Sequence, residues 1–504
     1  MNIISPAILQ YAKLRADGLT HHIKEPLEAQ REVFQHLISQ AQHTVFGREY
    51  RFNHIFRPAE FRSAVPIHEY EDLKPFIERM MQGEENVLWN TPVQWFAKSS
   101  GTTSDRSKFI PVSDESLDEN HYQANKDLLY LYHLSYPECQ LLNGKGLVIG
   151  GSHQVAELSK DIQYGDLSAV LLQNAPFYGQ WLKTPQLAIA LMDNWENKIE
   201  ALAQSTIQED VTSVSGVPTW TQVLFKRILE ITGKENIKQV WPNLELYFHG
   251  GVSFSPYRAA FEKLVGEPIH YLEIYNASEG FFAAQTHEDE VGMLLFLEHG
   301  IYYEFLPVDE YGKENPKTIG LDQVETGKNY APVISTVGGL WRYLIGDTIA
   351  FTSVYPFRIK VTGRLKHYIN AFGEEVIIDN ADRAIAEASR LTGAIVRDYS
   401  AAPVYFSDNS NGAHEWLIEF EKLPVDPEKF ADALDEHLRM VNSDYDAKRY
   451  KDIALRRLIM HVVPDGGFSD WLRSKGKLGG QHKVPRLSND RKIIEEIKAH
   501  LNIK

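Results

Sequence analysis

Short apolar runs that end in glycine or a polar turn alternate along this chain with longer stretches of helical periodicity, and few architectures accept that pattern. Gly146-Leu147-Val148-Ile149-Gly150, Leu244-Glu245-Leu246-Tyr247-Phe248 and His270-Tyr271-Leu272-Glu273-Ile274 have the length and the β-branched or aromatic content of strands. Tyr257 to Leu264, between two of them, has the spacing of a helix. Leu27, Phe34, Leu37, Ile38 and Ala41 also recur at helical spacing behind Pro26, which suits a first turn. The expected fold class is therefore α/β, with a large N-terminal α/β domain built on mixed sheets.

After Val376 the pattern tightens. A helix is expected around Asn380 to Leu391, strands around Ile395 to Phe406 and Glu415 to Phe420, a helix behind Pro427 through Val441, and a strand over Leu458 to Val463. That is a smaller C-terminal α+β domain. The border is expected near Arg364 to Lys366, dividing the chain into domains 1–364 and 365–504. Gly476 to Arg491, rich in Lys, Gly and Arg, reads as a loop. A chain of 504 residues can bury the cores of two domains.

The formal net charge of -16 opposes non-specific attraction to phosphate backbones and anionic membrane surfaces, so no nucleic acid or membrane partner is expected. A single nucleotide is still compatible, because a local nest of N–H groups with one or two cations dominates at short range. The one cysteine, Cys139, excludes an internal disulfide and reads as a small buried apolar residue in a reducing, cytoplasmic setting. Met1 to Lys13 lacks the basic start and continuous apolar run of a signal peptide. No uninterrupted apolar run is long enough for a membrane span, and no coiled coil suggests assembly, so a monomer is expected.

Lys98-Ser99-Ser100-Gly101-Thr102-Thr103-Ser104-Asp105-Arg106-Ser107-Lys108 is the run with the clearest chemistry. Consecutive hydroxyls around a glycine supply N–H and O–H donors that can wrap phosphate oxygens, and Lys108 adds a point charge. It is not a Walker loop, since Ser107 stands where a second glycine is required. Tyr275-Asn276-Ala277-Ser278-Glu279-Gly280 sets an aromatic, a hydroxyl and a carboxylate after a strand, an arrangement able to stack a base and hold Mg²⁺. Tyr275 reads equally as a half-buried strand aromatic, and Glu279 as a first-turn helix residue. Gly338-Gly339-Leu340-Trp341-Arg342-Tyr343-Leu344-Ile345-Gly346-Asp347 ends in a carboxylate at a turn, suited to ribose hydroxyls or simply to its own turn. Arg364, Lys366 and His367 put cations at the expected border. His68-Glu69 and His287-Glu288-Asp289-Glu290 lack a pair of histidines at i, i+4 and read as solvated charge rather than a zinc site.

Taken together and in this order, these motifs resemble the adenylate-forming superfamily of acyl-CoA synthetases, luciferases and peptide-synthetase adenylation domains. Within it the chain is similar to the Gretchen Hagen family of acyl-acid amido synthetases. The likeness is carried by Ser99-Ser100-Gly101-Thr102-Thr103, the Tyr275 to Glu279 element, and Leu340 to Asp347. Val65-Pro66-Ile67-His68-Glu69-Tyr70-Glu71 and Gly480-Gln481-His482-Lys483-Val484-Pro485-Arg486 support it from the flanks. The resemblance implies the superfamily fold, ATP and Mg²⁺ as cofactors, and a carboxylic acid and an amino acid as substrates. Ser99, Ser100, Gly101, Thr102, Thr103 and Lys108 would hold the phosphates, and Tyr275 the adenine with Ser278 in the same nucleotide site. Glu279 would hold Mg²⁺, Asp347 the ribose, and Arg364 the ribose or α-phosphate. Lys366 would be the hinge on which the small domain turns, and Lys483 would reach the cleft from the C-terminal loop. Ser215 to Trp220 resembles an acyl-pocket segment and also reads as a helix start at Pro218.

Two positions depart from the family: Asp105 stands where glycine is usual, and Leu344 where arginine is usual. Arg106 and Arg342 are the cations expected to compensate. The rival readings are an acyl-CoA ligase, which shares the adenylation step, and a non-catalytic relative that binds nucleotide only.

Overall fold

The computed structural model describes residues 15, 19, 22–99, 108–150, 155–159, 161–176, 181–192, 195–251, 254–255, 257–365, 368–369, 374, 376–404, 412–442, 445–446, 449, 455–476, 483–488 and 491–503. Its chain forms two compact units. The first comprises Met1–Val252, Leu264–Ile345 and Ile349–Lys360; the second comprises Ser253–Lys263, Gly346–Thr348 and Val361–Lys504. Among the described residues no helix is long and apolar enough to cross a membrane.

The first unit is built on a mixed sheet. Strands Lys183–Thr184, Lys145–Val148, Val211–Gly216, Leu246–Gly250 and His270–Ala277 lie side by side and parallel. Parallel neighbours need a crossover, and the helices Trp195–Thr206 and Pro218–Thr232 lie between successive strands of this run. Leu246, Tyr247, Phe248 and His249 are all buried, as expected of a strand covered on both faces. Beyond His270–Ala277 the direction reverses: Gly280–Ala284 and Met293–Leu295 follow antiparallel. Asn329–Thr336 pairs with Ile301–Pro307 and with the two-residue strand Tyr343–Leu344. A separate four-stranded sheet carries the hairpin of Trp95–Ser99 and Lys108–Val112. This is the expected α/β architecture with mixed sheets.

The second unit has its own core. Helices Ile378–Thr392 and Pro427–Val441 turn Ile385, Ala388, Phe430, Leu434 and Leu438 against Trp416, Ile418 and Phe420 of a three-stranded sheet. In that sheet Ile395–Val404 is antiparallel and Ile459–Val463 parallel to Ala413–Lys422. Pro427 opens its helix behind Asp426, whose carboxylate accepts from the amides of Glu428 and Lys429. The amphipathic period of both helices is what places one apolar face on the sheet.

Candidate active site

Trp95–Ser99 and Lys108–Val112 form an antiparallel ladder in which Ser99 pairs with Lys108. The hydroxyl-rich run is thus the connection of a hairpin whose two ends are fixed by that pair. Ser100, Gly101, Thr102, Thr103, Asp105 and Arg106 lie outside the described residues, as does the side chain of Ser99. Lys108 is half-buried, its Nζ 5.7 Å from the centroid of the Tyr70 ring. The Tyr70 hydroxyl accepts from the Phe109 amide at 2.9 Å. The ring therefore anchors the backbone beside the ammonium and offers it a cation–π contact.

Ala277 pairs with Gly280, so Ser278 and Glu279 are the two-residue turn of a hairpin. This turn stands at the C-terminal ends of the parallel strands, where the sheet changes direction. Ligands in open α/β sheets bind outside the carboxyl ends of the parallel strands. Glu279 is a turn residue and not the first turn of a helix. Tyr275 is buried with its ring centroid 4.8 Å from that of Phe282, and Ser278 is buried beside it. Glu279 is half-buried and accepts a long hydrogen bond from the Tyr343 hydroxyl, 3.4 Å from its Oε1. Burial and the Glu279 carboxylate hold the Tyr343 hydroxyl well above the usual phenol range, so it remains a donor.

A buried asparagine fixes the hairpin. The Asn120 side chain accepts from the Phe281 amide at 2.7 Å and donates to the His299 carbonyl at 2.8 Å. Asn120 belongs to a π-helical segment, Ser116–Tyr122, that comes after the strand carrying Lys108. Segments of this kind recur at functional sites.

The strand that carries Tyr343 is held just as firmly. Arg342 has a left-handed backbone, φ 43°. Its guanidinium is buried and bonds Glu304 at 2.8 Å, the Arg62 carbonyl at 3.1 Å and the Thr318 hydroxyl at 2.8 Å. The expectation that Arg342 compensates for the missing arginine at Leu344 is therefore corrected: its charge is consumed by a buried carboxylate and backbone carbonyls. His68, far upstream, donates from Nδ1 to the Trp341 carbonyl at 2.8 Å, and its backbone bonds Arg342 and Leu344. Burial lowers the pKa of its imidazole, which favours the neutral form.

The second unit holds the remaining cations. Arg364 Nε lies 2.8 Å from Asp347 Oδ1. The Lys483 ammonium is pushed down to about 7, first by desolvation and then by Arg364 and Arg486, against the opposing pull of Asp347 and Asp398. The side chain as a whole stays exposed, and the water it retains opposes part of the depression without reversing it. Arg486 bonds Asp382 at 2.9 Å and lies 4.9 Å from the Tyr399 ring centroid. Lys366 and His367 lie outside the described residues.

The sequence-selected residues thus form two sets. Lys108, Tyr275, Ser278 and Glu279 belong to the first unit; Asp347, Arg364 and Lys483 belong to the second. Tyr70, Asn120 and Tyr343 were not singled out from sequence. Tyr70 and Tyr343 lie inside quoted motifs, but nothing in a linear reading pairs residue 343 with residue 279. The acidic run 287–290 is less solvated than expected: Glu290 accepts from both terminal guanidinium nitrogens of Arg358, and His287 stacks on Tyr136 at 4.8 Å. Cys139 is half-buried against an apolar cluster, where full burial was expected.

Three family models match the chain: the GH3 family N-terminal domain over residues 15–269, the central domain over 294–364 and the C-terminal domain over 379–492. Among curated relatives, an indole-3-acetic acid-amido synthetase of Arabidopsis thaliana, GH3.3, is 24% identical over 92% of this chain and 90% of its own. A jasmonoyl-L-amino acid synthetase of Oryza sativa subsp. japonica, GH3.5, is 24% identical over 85% of this chain and 86% of its own. Among solved structures, the GH3.15 acyl acid amido synthetase in complex with 2,4-DB aligns with a TM-score of 0.79 at 17% identity, covering 98% of this chain and 96% of that one. A 2-hydroxyisobutyryl-CoA ligase aligns with a TM-score of 0.59 at 14% identity over 96% and 93%. Both likenesses are of fold.

Proposed function

The chain belongs to the GH3 family, and on that premise we propose that it is an ATP-dependent acyl-acid amido synthetase that joins a carboxylic acid to the amine of an amino acid. The observation that carries this reading is that the family's N-terminal, central and C-terminal domain models each match the chain, over residues 15–269, 294–364 and 379–492. The acid's carboxylate attacks the α-phosphorus of ATP and releases pyrophosphate. The amine then attacks the acyl adenylate and releases AMP.

In this reading Ser99, Ser100, Gly101, Thr102, Thr103 and Lys108 hold the phosphates, a role supported by a loop whose ends are pinned at the Ser99–Lys108 pair. N–H and O–H donors of the kind this run supplies stabilise charge developing on phosphate oxygens. Tyr275 and Ser278 serve the nucleotide, Asp347 the ribose, and Arg364 the ribose or α-phosphate. Mg²⁺, when bound, supplies charge neutralisation at the phosphates. The half-buried Glu279 carboxylate fits such a hard cation, offering oxygen donors at a tight turn. Lys483, with its lowered basicity, is the catalytic lysine of the C-terminal segment, and the chain works as a cytoplasmic monomer without nucleic acid.

The test is incubation with Mg·ATP, a panel of carboxylic acids and the twenty amino acids, with and without CoA, monitoring pyrophosphate and product mass. The expected product is an acyl–amino acid. Acyl-CoA as the sole product would make the chain a CoA ligase, and ATP binding without turnover of any acid would make it a nucleotide-binding relative.

A further inference from the structure

Tyr343 is locked before its hydroxyl is considered. Its backbone pairs with Ile334 and bridges to His68. The preceding Arg342 is held in a left-handed conformation by its buried bonds to Glu304, Thr318 and backbone carbonyls. The ring is completely buried, and its hydroxyl lies 3.4 Å from Glu279 Oε1. The carboxylate is presented by the Ser278–Glu279 turn, itself fixed through Asn120.

We propose that Tyr343 is a positioning residue for Glu279, aligning its carboxylate for a divalent cation through a hydrogen bond that leaves the negative charge intact. This rests on the assignment of Glu279 as the Mg²⁺ ligand. The choice of partner matters. A lysine or arginine at 343 would orient the carboxylate equally well but neutralise it and compete with the metal. A neutral O–H donor takes one of the several lone-pair positions of a carboxylate and does not neutralise its charge. Outer partners of metal ligands act in this way, and losing one typically costs about 10–100-fold in metal affinity. The competing explanation is that a buried phenol only needs an acceptor. That explanation predicts a small stability change and no change in metal dependence.

The experiment titrates Mn²⁺ into the protein with ATP and measures bound metal by electron paramagnetic resonance, in parallel with the Mg²⁺ dependence of pyrophosphate exchange. Tyr343→Phe keeps the ring and removes the donor; Tyr343→Met is a second donor-less variant should the first not fold, as judged by circular dichroism. Glu279→Gln is the control for the underlying assignment. The expected result is Mn²⁺ affinity lowered about tenfold or more in the folded Tyr343 variant. A shift in Glu279→Gln with none in the Tyr343 variants would overturn the positioning role and leave Glu279 as ligand. No shift in any variant would remove the Glu279 assignment and the proposal with it.

Discussion

The Lys483 ammonium has two guanidinium groups, those of Arg364 and Arg486, among the charges that act on it, and its proton is held less tightly than in an ordinary lysine. A lowered pKa on an exposed side chain makes an amine nucleophilic near neutrality. Its reactive neutral form grows as pH rises through the lowered value, well before other lysines lose their protons. A limiting amine-acylating reagent near neutral pH is therefore expected to label Lys483 ahead of the other lysines. Its pH–rate midpoint, read by peptide mass spectrometry, should fall well below the ordinary lysine value of 10.5. A midpoint at the ordinary value would mean that desolvation of the ammonium and the two guanidiniums leave its basicity untouched. Arg342 supports a second expectation at this scale. Removing it strands the buried Glu304 carboxylate, so Arg342→Met should cost about 3–5 kcal/mol of stability. Arg342→Lys should recover little, because one ammonium cannot reach the same fan of acceptors. Urea midpoints decide this, and an unchanged midpoint with weakened ATP binding would return Arg342 to the phosphates.

Between single residues and the whole chain stand the hairpin His270–Ala277/Gly280–Ala284 and the π-helical segment that clamps it. Asn120→Leu keeps side-chain volume but leaves the Phe281 amide and the His299 carbonyl buried without their partner, a cost of about 2–5 kcal/mol. Loss of hydrogen-exchange protection at the Phe281 amide, with a lower denaturation midpoint, is the expected outcome; full protection would show that the clamp is dispensable. The parts of this region that sequence discloses are those with local causes. Pro26 and Pro427 open the helices expected of them, because the fixed φ and missing N–H of proline suit a first turn. The helix expected from Tyr257 to Leu264 runs Arg258–Val265. Glu279 was legible as a carboxylate after a strand, since period and composition mark the strand. The π-helix was not, because seven residues leave no distinct period. Nor were the bridges from His68 to Tyr343 and from Asn120 to Phe281, which depend on long-range pairing that no local pattern encodes.

At the scale of the molecule, the second unit is assembled from three stretches of sequence, and the short stretch Ser253–Lys263 comes from far upstream of the rest. Tyr257 shows why it belongs there. Its ring is buried, its hydroxyl donates to the Arg397 carbonyl at 3.1 Å, and Asp398, Arg486 and Asp382 all act on it. Burial pushes that hydroxyl above the usual phenol range, so it stays a donor throughout the working pH range. A fragment comprising residues 361–504 keeps the Trp416–Phe430–Leu434 core and is expected to fold. It lacks Tyr257, and with it a buried aromatic of about 2 kcal/mol and the partner of the Arg397 carbonyl. Its melting temperature should therefore lie several degrees below that of the same unit in the full chain. The comparison uses differential scanning calorimetry of the fragment, of the full chain, and of Tyr257→Ala in the full chain. The variant should lower the second unit's transition towards that of the fragment and leave the other transition in place. Equal melting of fragment and full-chain unit would mean that Ser253–Lys263 packs on the second unit without stabilising it.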